Sequence, residues 1–187
     1  TVRAIQQAWQ TGEKLDYRGD FYQHTLMTPM FSPGLNPHGA PRIAIAGVGP
    51  LMTEVAGEVA DGWLAHTFTT PRFLREVSLP ALHRGLEKSG RPAAGFDVSM
   101  PAFVAVGTSQ QELDAAIRAT KKQIAFYGST PAYAAVLELH GWTGIAEQLN
   151  AGSRRGEWDA MAELITDEML AEVSAVGSPA EGAEQVR

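Results

Sequence analysis

The sequence predicts an α/β fold in which parallel strands alternate with helices. Residues 42–46 form a nearly continuous apolar run, which is typical of a strand that helices cover on both faces. A glycine turn at residues 47–49 and a helical pattern over residues 51–60 follow it, and residues 63–68 predict a second strand. Strands and helices that alternate in this way indicate βα units and a parallel sheet.

The next elements continue the alternation. A helix opens at Thr70, with a proline at its first helical position, and we expect Pro80 to kink it. Residues 96–106 predict a third strand, with an expected interruption at Pro101 because proline has no backbone N–H for the ladder.

Most of the remaining chain is predicted to be helical. A capping box at residues 109–112 begins one helix, and residues 143–170 predict one or two more, broken near residues 152–156. Residues 173–176 predict a short fourth strand, and Ser178 starts another capped helix.

The amino-terminal part has a different character. Residues 1–11 predict a helix end, and residues 12–40 are rich in glycine, proline and aromatic residues, which predicts an insertion with a short hairpin near residues 17–22. We therefore expect one partial domain over residues 1–187, with its strands and helices in residues 41–187. Helical patterns reach both ends of the sequence, so we expect a longer protein.

Composition excludes several classes of function. The formal net charge is −6 and no cluster of basic residues occurs, which argues against a nucleic-acid partner. No apolar run approaches the ~20 residues that span a bilayer, so no membrane partner is expected. The chain has no cysteine, which excludes disulfides and thiolate metal sites and is compatible with the cytoplasm, where we expect the protein. The histidines lack metal-ligand spacing with carboxylates, so no metal is predicted.

The strongest local signal is the glycine turn, which comprises Ala46, Gly47, Val48 and Gly49. Glycine permits a sharp turn and a close approach of ligand to backbone, and the helix that follows offers free N–H groups to a phosphate. One alternative is a tight turn without a ligand. Another is a Rossmann site, but Met52 stands where the third glycine belongs and no acidic residue closes the next strand.

The end of the second strand, which comprises Ala65, His66 and Thr67, should lie beside this turn. Ligands gather at the carboxyl ends of parallel strands, so His66 is a candidate contact for phosphate or substrate. The alternative is a histidine with a structural role. No nucleophile–base pair is evident, and Tyr127 and Tyr133 either line a pocket or simply pack.

Residues 41–50, followed by residues 52–63, resemble the fifth strand, the helix and the sixth strand of the bacterial luciferase-like family. That family contains TIM-barrel flavin monooxygenases and oxidoreductases that use the deazaflavin coenzyme F420. Residues 17–22 resemble the insertion before strand five, and residues 176–181 resemble strand eight and the start of the last helix. Residues 123–133, with residues 140–142, resemble the F420-dependent branch.

The resemblance implies the carboxyl-terminal half of a TIM (β/α)8 barrel, with four parallel strands. The backbone of residues 46–49 would hold the cofactor phosphate and residues 65–67 would close over it, with coenzyme F420 as the cofactor and FMN as the alternative. The implied activity is hydride transfer to or from a small organic substrate. The alternatives are an FMN-dependent monooxygenase and a non-catalytic half barrel that functions only in an assembly.

The family's acid–base residues come mostly from the first half of the barrel, so we assign no catalytic residue and expect the 187 residues alone to be incomplete as an enzyme. Two open sheet edges would remain in a half barrel. We therefore expect a homodimer or an association with a missing amino-terminal half.

Overall fold

A computed structural model describes residues 1–186, which divide into a small unit, Thr1–Ile43, and a larger unit that begins at Ala44. The small unit opens with helix α1 (Val2–Thr11), which ends where Gly12 takes a left-handed conformation with φ of 72°. Strands β1 (Tyr17–Arg18) and β2 (Gln23–His24) form an antiparallel hairpin, which extends the predicted hairpin by two residues. A 3₁₀ turn, Pro29–Phe31, follows.

The larger unit begins with the predicted strand–helix–strand element. Strand β3 (Ala44–Gly47) leads into helix α2 (Pro50–Val59), and strand β4 (Gly62–Ala65) then pairs with β3 in parallel. Pro50 starts α2 because its missing N–H needs no partner at the first helical position. Both strands are shorter than predicted, and β4 ends before His66.

The helical segment after β4 is continuous but not uniform. It consists of α3 (Pro71–Phe73), a π-helical stretch (Leu74–Ser78) and α4 (Leu79–Lys88). The irregularity lies directly before Pro80, which cannot donate to the carbonyl four residues earlier, so the expected disturbance takes the form of a π-helical stretch. Helix α4 packs against α2.

The predicted third strand is two separate strands. Strand β5 (Asp97–Ser99) pairs in parallel with β4, and strand β6 (Phe103–Val106) pairs in parallel with β7 (Ser174–Gly177). Pro101 lies in the gap between them, as the missing N–H predicts. The described residues of the larger unit thus contain a three-stranded sheet in the order β3-β4-β5 and a two-stranded sheet, β6-β7.

Helices follow β6. They are α5 (Gln110–Gly128), a 3₁₀ turn (Pro131–Tyr133), α6 (Ala134–Leu139), α7 (Ile145–Arg155), α8 (Trp158–Glu163), α9 (Asp167–Val173) and, after β7, α10 (Pro179–Gln185). The prediction of one or two helices over residues 143–170 is wrong, because three form. The third follows Thr166, which caps it by accepting a side-chain hydrogen bond of 3.1 Å from the N–H of Met169.

Two apolar clusters support the larger unit. The smaller cluster surrounds Trp63 beneath α2 and α4, and the larger one joins the β6 face to helices α5 to α9. Parallel pairing and helices between the strands confirm the α/β class. Among residues 1–186, no helix is both long enough and apolar enough to cross a membrane.

Candidate functional site

The turn between β3 and α2 holds two glycines with different roles. A Cβ added at Gly47 would lie 3.2 Å from Trp63 Nε1 and from backbone atoms of Met52 and Thr53. Trp63 Nε1 also donates a hydrogen bond of 3.0 Å to the Gly47 carbonyl, and this bond is buried. Gly47 is therefore glycine because the helix and the indole approach it closely.

Gly49 has no such neighbours. A Cβ added there would meet nothing within 4 Å, and its φ of −87° is one that any residue can adopt. Its carbonyl accepts hydrogen bonds of 3.1 Å from both the N–H and the Oγ1 of Thr53. The open space in front of Gly49 fits a ligand that approaches the start of α2, where N–H groups are available.

The turn does not depend on the left-handed backbone region that favours glycine. Neither Gly47 nor Gly49 has a positive φ. Close packing requires the first glycine, and free space surrounds the second.

The register of the two strands brings most of the predicted site together. Gly47 pairs with Ala65, so the residues that follow each strand are neighbours. A cavity of about 10 Å³, roughly the space of one water, is lined by Gly47, Val48, Ala65 and His66. This cavity is too small for a cofactor, so a ligand of the turn must approach from the open side.

The other predicted site residues lie elsewhere. Ala46 is exposed, and Thr67 lines a separate cleft of about 390 Å³. That cleft is also lined by Thr69, Thr70, Met100 and Ser174. The structure therefore brings together four of the seven predicted residues around one cavity. Gly49 lies next to them, with free space in front of its backbone.

His66 is held in one orientation. Its Nδ1 accepts a hydrogen bond of 3.0 Å from the backbone N–H of Phe68. The rings of Tyr127 and Tyr133 lie 4.9 Å and 4.6 Å from the imidazole, between ring centroids. Burial lowers the pKa of His66 below its usual value, because desolvation penalises the charged form. The imidazole is therefore neutral near pH 7.

A second histidine contact was not predicted. His140 Nε2 lies 2.9 Å from Thr70 Oγ1, and that hydroxyl also accepts from the N–H of Phe73 at 3.0 Å as the cap of the helix after β4. The His140 ring stacks on Trp142 at 4.4 Å. Thr70 before Pro71 is visible in the sequence as a cap, but nothing there indicates its partner seventy residues away.

Among residues 1–186, no group of three or more His, Asp or Glu side chains is placed to hold a metal ion.

Comparison with known proteins assigns the family. The model of the luciferase-like monooxygenase family matches residues 1–187. The chain belongs to this family. The resemblance inferred from the sequence is thus confirmed.

Luciferase-like relatives differ in what is known of them. An uncharacterized protein of Mycobacterium tuberculosis is 54% identical over 176 residues, which cover 94% of this chain and 52% of the relative. The 5,10-methylenetetrahydromethanopterin reductase of Archaeoglobus fulgidus is 30% identical over 182 residues, which cover 94% of this chain and 51% of the relative. The chain thus spans about half the length of these relatives.

An enzyme of known structure has a fold similar to that of this luciferase-like chain. The coenzyme F420 dependent tetrahydromethanopterin reductase from Methanopyrus kandleri matches with a TM-score of 0.75 and 23% identity, over 98% of this chain and 51% of that enzyme. The α/β architecture is therefore of the same type as that of an F420-dependent reductase.

Proposed function

We propose that this chain is the cofactor-phosphate-binding half of an F420-dependent oxidoreductase that transfers a hydride to or from a small organic substrate. The observation that carries the proposal is the free space around Gly49, which lies beside the end of β4. The chain belongs to the luciferase-like family, which supports a cofactor as the occupant of that space. The reductase from M. kandleri is named as F420-dependent, which favours F420 over FMN.

The residues divide into two groups in this proposal. The backbone of residues 46–49 and the start of α2 bind the phosphate, because free N–H groups and the helix dipole favour an anion there. In this proposal Ala65 and His66 lie beside the phosphate and exclude water from one side, and Thr67 follows them at the edge of the neighbouring cleft. When bound, the deazaflavin supplies the hydride chemistry, and the protein orients it. No residue of this chain is assigned as acid or base.

The proposal includes a half barrel. If β5 and β6 count as one strand broken at Pro101, the parallel strands run in the order β3, β4, β5/β6 and β7, which makes four. Eight strands close a TIM barrel, so four more are needed. We propose that a second copy or a preceding half of the protein supplies them.

A titration tests the cofactor. The 187-residue chain and any longer form of the protein are each titrated with coenzyme F420 and with FMN, and the fluorescence of the cofactor is followed. We expect F420 to bind more tightly than FMN. Binding of neither to either form would contradict the proposal.

Two alternatives have specific support. The family's description as monooxygenases favours an FMN enzyme, and the same titration separates it, because FMN would then bind more tightly. The exposed apolar side chains of α2 favour a non-catalytic half barrel that functions in an assembly, with Leu51 80% exposed. A monomer of 187 residues that turns over substrate would contradict this second alternative.

A further inference from the structure

The His66 ring has a defined tautomer. Because Nδ1 accepts the hydrogen bond from Phe68 N–H, Nδ1 carries no proton, and in the neutral ring the proton lies on Nε2. Within residues 1–186, the hydrogen bond to the ring is this one, and its aromatic contacts are the two tyrosine rings. Nε2–H is therefore a donor without a protein partner in the described part of the chain.

The hydroxyl of Thr69 is a second polar group near the turn without a hydrogen-bond partner among the described residues. The residue is 8% exposed, and its buried Oγ1 makes no hydrogen bond to any described residue. It lines the same small cavity as Gly47, Val48 and His66. A buried hydroxyl without a partner is costly, and the cavity has the volume of about one water, so a water is expected to pair with Oγ1 there.

We propose that His66 Nε2–H and a water held by Thr69 are the side-chain half of the phosphate subsite at the glycine turn. This inference rests on the proposed function, in which the backbone of residues 46–49 also binds the phosphate. The ligand atom that they bind is a phosphoryl oxygen, because His66 Nε2–H and the free backbone N–H groups at the start of α2 are donors and such an oxygen accepts. His66 acts as a neutral donor, and the backbone supplies the dipole that favours the negative charge.

The neutral state of the His66 ring follows from its hydrogen bond with Phe68 N–H. An imidazolium carries protons on both nitrogens, so it cannot accept from Phe68 N–H, and protonation would break that bond. Burial disfavours the cation as well. The rings that face it are those of Tyr127 and Tyr133, and burial, with no charged neighbour, is the cause of its lowered pKa among the described residues. Binding should therefore depend on an N–H at this position and not on a positive charge.

The tautomer is tested by NMR on the chain with ¹⁵N-labelled histidine, over a pH series. We expect the His66 signals of the Nε2–H tautomer at neutral pH and a titration below that of a free histidine. We expect the Nε2 resonance to shift when F420, FMN or inorganic phosphate is added. A cationic ring or an Nδ1–H tautomer at pH 7 would overturn the inference, whatever the cofactor does.

Matched variants then separate hydrogen bonding from charge. His66→Gln keeps an N–H donor without a charge, so F420 affinity should stay near that of the wild type, whereas His66→Ala should weaken it about tenfold. Thr69→Ser should bind like the wild type, and Thr69→Val should bind less tightly. Circular dichroism of each variant checks that it is folded.

The outcomes distinguish the two proposals. If the wild type binds F420 or FMN and all four variants bind equally well, the role of His66 and Thr69 is refuted while the proposed function stands. If His66→Gln loses as much affinity as His66→Ala, a neutral donor is refuted. If the wild type binds neither cofactor and phosphate leaves Nε2 unshifted, both proposals fail together.

Discussion

At the scale of single residues, the atoms around each glycine of the turn determine whether that glycine is needed for packing or leaves free space. Gly47 and Gly49 look equivalent in the sequence, yet a Cβ would be 3.2 Å from Trp63 Nε1 at the first and would meet nothing within 4 Å at the second. The first glycine is therefore needed for folding. The second leaves room for a ligand.

This difference makes the two glycines a matched pair for mutation. Gly49→Ala should change the free energy of unfolding by less than about 1 kcal/mol, because a small gain in backbone entropy opposes a weaker helix cap. It should nevertheless weaken F420 binding, since the methyl group occupies the space that the phosphate approaches.

Gly47→Ala should instead lower the free energy of unfolding, by about 1–3 kcal/mol, because the added methyl group crowds Trp63 and α2. Urea unfolding and fluorescence titration of both variants check the pair. If Gly49→Ala binds F420 as tightly as the wild type does, the phosphate does not lie at Gly49.

Small residues bring two of the helices unusually close. A Cβ at Gly85 of α4 would be 1.9 Å from the carbonyl oxygen of Glu54 in α2, and one at Gly57 of α2 would be 2.5 Å from the carbonyl oxygen of Leu82. Ion pairs from Arg84 and Lys88 to Glu54 lie on the exposed side of this contact. The contact holds α2, and therefore its amino-terminal end, against the rest of the unit.

Gly85→Ala should accordingly destabilise the protein by about 1–3 kcal/mol, because the two helices must separate to admit the methyl group. Glu87→Ala, on the exposed side of the same helix, is the control and should change stability by less than about 0.5 kcal/mol. Thermal or urea unfolding measures both. Equal stability of the two variants would mean that α2 and α4 are not in close contact.

At the scale of the whole molecule, apolar side chains of the larger unit face outwards. On α2, Leu51 is 80% exposed and Val59 is 52% exposed, and on β4 Leu64 is 45% exposed. Among the described residues, strand β3 pairs with β4 and with no other strand, and an unpaired strand edge favours pairing with another chain. These surfaces are the ones that an association with more barrel strands would cover.

A charged double variant tests this association. We expect the wild-type chain to form a dimer, or to bind a separately produced first half of the barrel, and Leu51→Glu with Val59→Lys to prevent it while the monomer remains folded. Leu35→Glu, at a 71% exposed apolar side chain of the smaller unit, is the control. Light scattering after size-exclusion chromatography measures the mass. An unchanged mass in the double variant would place the interface elsewhere.

The sequence by itself determined the α/β class, the alternation of strands and helices, the break at Pro101, the caps and the family. These features depend on local chemistry: the missing N–H of proline, the side-chain oxygens at helix starts, and the period of apolar residues. It also indicated the residues of the candidate site, whose role in binding remains a proposal.

Only the tertiary structure decided what those residues contact. Trp63 bonds to Gly47, two tyrosine rings pack on His66, and His140 reaches Thr70 across seventy residues. It also showed that the apolar side of α2, with Leu51 and Val59, faces outwards, while Thr53, Ala56 and Gly57 form its buried face. Such contacts depend on which segments meet in space, and no pattern within one segment encodes them.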